Sequence, residues 1–271
     1  MCGIAGLLGN GSLEDAVSMA SAIGKRGPDG SGDFLSDVEQ ADGSVAFSHA
    51  RLSIIDLDGS HQPIHSDHGC VLMVNGEIYN HQKIKSTLRD YPFRTAGDSE
   101  IIMALHRKYS WNQPVGKNPA ERHIEWVSKL DGMWGFSLWD PKAKELILCR
   151  DPFGIKPLVR TQLSDGTLLF ASEVKAFRGH TGFSAKPDIS ALSVRLAYEY
   201  PLDQTTLFQG VTSVGIGTIE TWSLVDGKAT LTGVAKYWKP RVIPSENWSP
   251  STNASQLLNS LSDSIQDRLM A

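Results

Sequence analysis

Cysteine is scarce in these 271 residues: Cys2, Cys70 and Cys149 are odd in number and far apart. A chain of this length with three thiols is not held together by a disulfide framework, and a reducing compartment suits it. Long apolar runs are missing too. No window approaches the roughly 18 residues of a membrane span, and the apolar start, residues 1–8, is short and has no basic stretch ahead of it. Neither a membrane anchor nor a usual signal peptide is expected, and myristoylation would need glycine where Cys2 stands. Nor does one charge dominate: 26 basic residues face 30 acidic ones, a formal net charge of −4, which disfavours a polyanionic partner such as nucleic acid. Low-complexity tracts and internal repeats are absent. The expectation is a soluble cytoplasmic protein with no nucleic-acid or membrane partner.

What is present is an ordinary globular composition, 41% hydrophobic, 21% charged and 8% aromatic, enough to bury a core across about two domains or one large one. Short apolar runs punctuated by Gly, Asn and Asp read as strands at residues 44–50, 70–74, 133–139, 145–149 and 167–171. Helical periodicity is found at residues 13–23, 81–88, 99–108, 121–130 and 189–198, with Asp98 placed as an N-cap ahead of Ile101-Ile102-Met103-Ala104-Leu105. Strands outnumber helices without alternating with them, which argues for an α+β layered fold over a doubly wound parallel sheet. Residues 241–255, rich in Pro, Ser, Asn and Thr, have the composition of a linker. Beyond it Leu257, Leu261, Ile265 and Leu269 recur every fourth residue with Leu258 alongside, one apolar helical stripe that Ser251 or Asn253 would cap. That helix runs into the chain end without a stop signal, as a piece of a larger unit does.

Four segments carry possible chemistry. In Met1-Cys2-Gly3-Ile4-Ala5-Gly6, removal of Met1 would leave a thiol and a free α-amine on one residue. An α-amine has a reference pKa of about 8 and can take the thiol proton and return it to a leaving group; a small apolar Cys buried in a first strand is the alternative. Asn75-Gly76, after the run Val71-Leu72-Met73-Val74, is either a hairpin turn or a pair of donors for an oxyanion. Arg51, which interrupts an apolar stretch, wants a carboxylate, from the protein or from a ligand. Asp98 is most simply a cap, and a free oxygen there would accept an ammonium. A substrate with both an α-carboxylate and an α-ammonium uses both residues.

Together these segments resemble the class II glutamine amidotransferase domain, an N-terminal-nucleophile hydrolase, as found at the front of asparagine synthetases. The resemblance takes in Arg26-Gly27-Pro28-Asp29-Gly30, Gln62-Pro63, Leu130-Asp131-Gly132-Met133, Arg150-Asp151-Pro152-Phe153-Gly154-Ile155-Lys156-Pro157-Leu158 and Phe170-Ala171-Ser172-Glu173-Val174-Lys175, in the family's order. It implies a four-layer αββα sandwich of two antiparallel sheets over residues 2–240, a linker at 241–252, and at 253–271 the first helix of a second, ATP pyrophosphatase-like synthetase domain that acts in cis. It implies Cys2 as nucleophile and, through its amine, as base, with Asn75 and Gly76 as the oxyanion hole. Arg51 would hold the glutamine α-carboxylate, Asp98 and Glu77 its α-amino group, and the backbone at Ile54 and Ile55 would line the pocket. Glutamate and ammonia are the products, and the ammonia would serve ATP-dependent conversion of aspartate to asparagine in the second domain. The glutaminase reaction would need no cofactor, ATP and Mg belonging to the synthetase domain. Two other readings are a catalytically silent scaffold and the glutaminase of a different amide-forming synthetase.

The chain departs from the family pattern in places. It has no Ser-Gly-Gly-x-Asp-Ser loop and no Walker-type loop, Asp151-Pro152 stands where Asp-Arg is frequent, and residues 110–121 form an extra polar stretch. His61, His65, His68 and Cys70 have a spacing open to zinc, yet they sit in a polar loop without paired Cys-x-x-Cys, and no metal site is expected. Cys70 and Cys149 read as core, and the open apolar stripe of the last helix predicts association, a homodimer being its simplest form.

Overall fold

The computed structural model describes residues 1–36, 43–53, 56, 59–240 and 249–269. Alternation of side chains along the strands generates three separate cores, and these stack the elements into four layers. In strand β1 (Gly3–Gly9), Ile4 and Leu8 point one way while Ala5 and Leu7 point the other, all fully buried. The same split recurs in β5 (Val71–Ile78), with Val71 and Met73 on one face and Leu72, Val74 and Ile78 on the opposite one. A strand apolar on both faces must be covered on both, and here each is.

The first sheet also contains β2 (Gly30–Leu35), β3 (Ser44–Arg51), β8 (Val159–Gln162), β9 (Leu168–Ala171) and β10 (Val211–Ser213), in the order β10-β8-β9-β1-β3-β2. The second contains β4 (Ile64–His65), β6 (Gly132–Asp140), β7 (Glu145–Arg150), β11 (Thr218–Val225) and β12 (Lys228–Lys236), in the order β12-β11-β7-β6-β5-β4. Every pairing is antiparallel. Between the sheets lie Phe47, Phe170, Leu146, Leu148 and Trp222. Outside the first sheet, helix α1 (Leu13–Ser21) packs Ala16 and Met19 onto Ala46 and Leu169. Its start is held by a capping box between Ser12 and Asp15. Outside the second sheet lie α2 (His81–Thr87), α3 (Glu100–Tyr109) and α4 (Ile124–Val127), which bury Ile84, Ile101, Ile102, Leu105 and Trp126. The expected α+β, four-layer αββα sandwich is thus observed, and the five expected strands are present within a few residues of their limits.

Several local expectations are corrected. The helix expected at 121–130 is a 3₁₀ turn, Pro119–His123, followed by the single turn of α4. Asp98 does not cap α3: Ser99 is the N-cap, without a side-chain bond, because the Asp98 carboxylate is drawn to the Ile78 N–H instead. Asn75-Gly76 is no hairpin turn, since β5 runs through both residues to Ile78, paired with β6. At the far end, α6 (Pro250–Arg268) starts inside the stretch assigned to the linker. Asn253 does not cap it from outside but lies in its first turn, accepting the Ser249 N–H (3.1 Å). Residues 241–248 of the linker lie outside the described residues. The apolar residues of α6 are exposed, as expected, and so are those of α5 (Ile189–Tyr198).

Candidate functional site

β1 lies between β3 and β9 in the first sheet, so the position of its first residues is set by two neighbours. The β1–β3 register pairs Gly3 with Ala50 and carries Leu52 past Cys2. There the Leu52 N–H points at Cys2 Sγ (3.4 Å), and the thiol points back to the Leu52 carbonyl (3.6 Å). The Cys2 carbonyl is fixed as well, accepting from Arg26 Nε at 2.9 Å. Arg26 is itself paired with Glu173 (2.6 Å), whose carboxyl burial pushes up but Lys175 and Arg26 hold below the usual range. Asn75 completes this knot. With its amide oriented so that both ends are satisfied, it donates to the Cys2 carbonyl (3.0 Å) and accepts from Arg26 Nη2 (3.3 Å). One of its two N–H groups is thereby used and the other is left over.

The edge of β5 supplies a further donor. In an antiparallel strand the N–H groups of alternate residues point to the same side, here those of Val74, Gly76 and Ile78. β4 covers this edge for two residues only. Beyond it, the Gln62 side chain imitates a strand, accepting the Val74 N–H at 2.6 Å and donating to the Val74 carbonyl at 3.1 Å. Asp98 Oδ2 takes the Ile78 N–H at 2.6 Å. Gly76 lies between them, and its N–H faces the cleft. A side chain at this position would collide with the Met133 carbonyl and come within 2.8 Å of Trp134 Cα, so only glycine lets β5 and β6 close here.

Cys2, Arg51, Asn75, Gly76, Glu77 and Asp98 all border one cleft, with about 50 Å³ of free volume and Met1 among its walls. Six of the eight expected site residues therefore converge. Ile54 and Ile55 lie outside the described residues. Arg51 is buried at the end of β3 and donates to the Asp56 carbonyl (2.7 Å). Asp98 is buried too, and that burial raises its carboxyl above the usual range despite the Ile78 N–H that favours the charged form. Its loop is pinned by Glu100, which accepts the Arg94 and Thr95 N–H groups, and by Asp56, which accepts the Ala96 N–H.

Gln62, Ser60, Ser99 and Lys156 also border the cleft, and Arg26 stands behind it; none was singled out from the sequence. The signal was available for three of them, because Arg26, Gln62 and Lys156 each fall in a segment that carries the family resemblance. The histidine cluster does not assemble. His65 meets Phe34 edge-on, His68 stacks on Trp111 and Cys70 is buried, and among the described residues no group of three or more His, Cys, Asp or Glu is arranged to hold a metal ion.

Comparison with known proteins agrees with this geometry. Residues 1–238 match the glutamine amidotransferase domain. Asparagine synthetase [glutamine-hydrolyzing] 2 of Bacillus subtilis is 36% identical over 188 residues, 66% of this chain and 22% of its own length. Asparagine synthetase B [glutamine-hydrolyzing] of Escherichia coli is 36% identical over 163 residues, 59% of this chain and 26% of its own. The chain thus spans about a quarter of the length of these relatives. Glutamine phosphoribosylpyrophosphate amidotransferase of B. subtilis superposes with a TM-score of 0.59 at 17% identity, covering 88% of this chain and 50% of that one, a likeness of fold alone. With its family match over most of its length, the chain belongs to the glutamine amidotransferase domain family.

Proposed function

We propose that this chain is the glutaminase part of an asparagine synthetase and hydrolyses L-glutamine to glutamate and ammonia through a thioester on Cys2. The observation that carries the reading is the convergence of Cys2, Arg51, Asn75, Gly76, Glu77 and Asp98, residues up to 96 positions apart, on one cleft. Met1 must first be removed. It is one wall of a cleft with room for only one or two waters, and its loss both opens the site and frees the Cys2 amine.

Arg51 then takes the α-carboxylate of glutamine, and Asp98 with Glu77 its α-ammonium. The Cys2 amine accepts the thiol proton as Sγ bonds to the amide carbon, and the carbonyl electron pair moves to oxygen. The oxyanion meets the Gly76 N–H and the remaining N–H of Asn75, donors set before charge develops. As the C–N bond breaks, the amine returns its proton to nitrogen and ammonia leaves a thioester. Water, deprotonated by the same amine, attacks the thioester; the thiol is restored and glutamate departs. The ammonia goes to a synthetase domain in cis, where aspartate becomes asparagine. ATP and Mg belong to that domain, and no residue of this chain is assigned to them. Cytoplasmic residence and self-association through the exposed stripe of α6 are part of the same proposal.

The test is intact mass and peptide mapping after incubation with 6-diazo-5-oxo-L-norleucine, an alkylating glutamine mimic. Loss of Met1 with one adduct on Cys2 is expected, and Cys2→Ala should abolish both labelling and glutamine hydrolysis without unfolding the domain. Hydrolysis retained by that variant, or an unlabelled Cys2 after Met1 removal, overturns the mechanism.

A further inference from the structure

The cleft is bordered by a lysine whose ammonium has no partner among the described residues. Lys156 is 6% exposed and borders the cleft, yet among the described residues its ammonium forms no ion pair, hydrogen bond or ring contact. Only its backbone is tied: its N–H donates to Asp151 Oδ2 (2.9 Å) and its carbonyl accepts from Arg150 Nε (2.9 Å). The buried charges of the cleft, Arg51 and Asp98, both have protein partners. An ammonium that borders the cleft without a counter-charge from the described residues is placed to pair with negative charge that a ligand brings.

The backbone at Lys156 lies at the Asn75 end of the cleft. Gly135 is the register partner of Asn75 on β6. The carbonyl of Pro157, next in sequence to Lys156, comes to 3.1 Å from where a Gly135 Cβ would stand, an approach that only glycine makes comfortable. Residues 156–157 therefore lie against the inner face of the β5–β6 pair, beside Asn75.

We propose that Lys156 directs its ammonium at the tetrahedral oxyanion of glutamine hydrolysis, together with the Gly76 N–H and the Asn75 amide; the inference rests on the glutaminase reading above. Glutamine carries one permanent negative charge, the α-carboxylate, and Arg51 is its partner. The second arises only when Cys2 Sγ bonds to the amide carbon and the carbonyl pair moves to oxygen, and it vanishes when the C–N bond breaks and the thioester carbonyl forms. A cation fixed beside Asn75 matches this transient charge and lowers the barrier without tightening ground-state binding.

Lys156→Met keeps the length and removes the charge, and Lys156→Arg keeps the charge. The Met1-processed chain and both variants are compared in glutamine hydrolysis and in binding L-glutamate γ-semialdehyde, whose aldehyde carbon adds Cys2 Sγ to give a hemithioacetal oxygen in the oxyanion position. Lys156→Met should lower kcat about a hundredfold with little change in KM. Its affinity for the semialdehyde should fall in parallel while its affinity for L-norvaline, which keeps the α-groups and has no side-chain oxygen, stays the same, and Lys156→Arg should recover most of the loss. A rise in KM alone would assign Lys156 to the α-carboxylate and overturn the proposal, as would equal losses for semialdehyde and norvaline, or no loss at all. If Cys2 is alkylated by the norleucine reagent but glutamine is not turned over, the semialdehyde comparison decides by itself. A Cys2 that neither turns over glutamine nor is alkylated overturns the glutaminase reading, and this inference with it.

Discussion

The side chain of Gln62 binds both backbone groups of Val74, accepting the N–H at 2.6 Å and donating to the carbonyl at 3.1 Å. It thereby extends an edge that β4 leaves after two residues, and Asp98 closes the same edge at Ile78. What remains between the two is the Gly76 N–H. A sheet edge normally exposes a row of unpaired groups; here side chains satisfy its neighbours and leave one donor facing the cleft.

Removing that clamp should cost both stability and rate. Gln62→Leu leaves the buried Val74 N–H unsatisfied and is expected to lower unfolding free energy by about 1–3 kcal/mol. Turnover should fall further than stability alone explains, because Asn75 follows directly on the loosened residue. Denaturant melts and kcat on the same preparation check this; an unchanged kcat beside a lowered midpoint would count against a role for the edge.

Asp98 should show function opposing stability. Burial raises its carboxyl above the usual range, so the ionised form is disfavoured in the folded state at neutral pH. Asp98→Asn keeps an oxygen for the Ile78 N–H and removes the buried charge. It is expected to melt higher than the parent at pH 7 while KM for glutamine rises at least about tenfold, as loss of a charged contact to the α-ammonium requires. Thermal melts and steady-state kinetics decide; a variant of unchanged KM would remove Asp98 from the substrate site.

Arg26 joins three groups at once, the Cys2 carbonyl, Glu173 and Asn75. Arg26→Ala should therefore lower kcat strongly, Glu173→Gln more mildly, and the double variant by less than the sum, since both singles disturb one network. A double-mutant cycle on kcat/KM measures the coupling, and strict additivity would show that Glu173 does not act through Arg26.

Acid should unfold the domain through two buried imidazoles. Burial lowers His49 and His123 from 6.5 to about 4, with neighbouring Arg51 adding to the effect at His49 and Glu145 partly opposing it at His123. Between these values the unfolded chain binds protons that the folded chain does not, so stability rises with pH and is lost on acidification from about pH 6.5 to 4. The full shift corresponds to roughly 3 kcal/mol per ring. Chemical unfolding at a series of pH values should show the decline, and His49→Gln and His123→Gln should each flatten it.

Local pattern was enough for the α+β class, and the motif segments for the family, whose resemblance implied the four layers. Apolar residues on both faces of β1, β5 and β7 demand cover on both sides, and period-two alternation gives each of these strands a core on either face. The motif segments, read in order, pointed to the amidotransferase family without any pairing being known. What local pattern misjudged depends on partners distant in the chain. Asn75-Gly76 has the composition of a turn, and it is the pairing with Trp134 and Gly135 that keeps it a strand. Asp98 stands where a helix cap belongs, but an Ile78 N–H twenty residues away competes for its carboxylate and wins. Lys156 shows no chemistry in sequence at all; a lysine at the cleft whose ammonium has no partner among the described residues becomes visible only when Gly135 admits residues 156–157 beside Asn75. Periodicity is a property of neighbours along the chain and can be read there, whereas a free donor or an unpaired charge is defined by everything that fails to reach it, which only the tertiary structure decides.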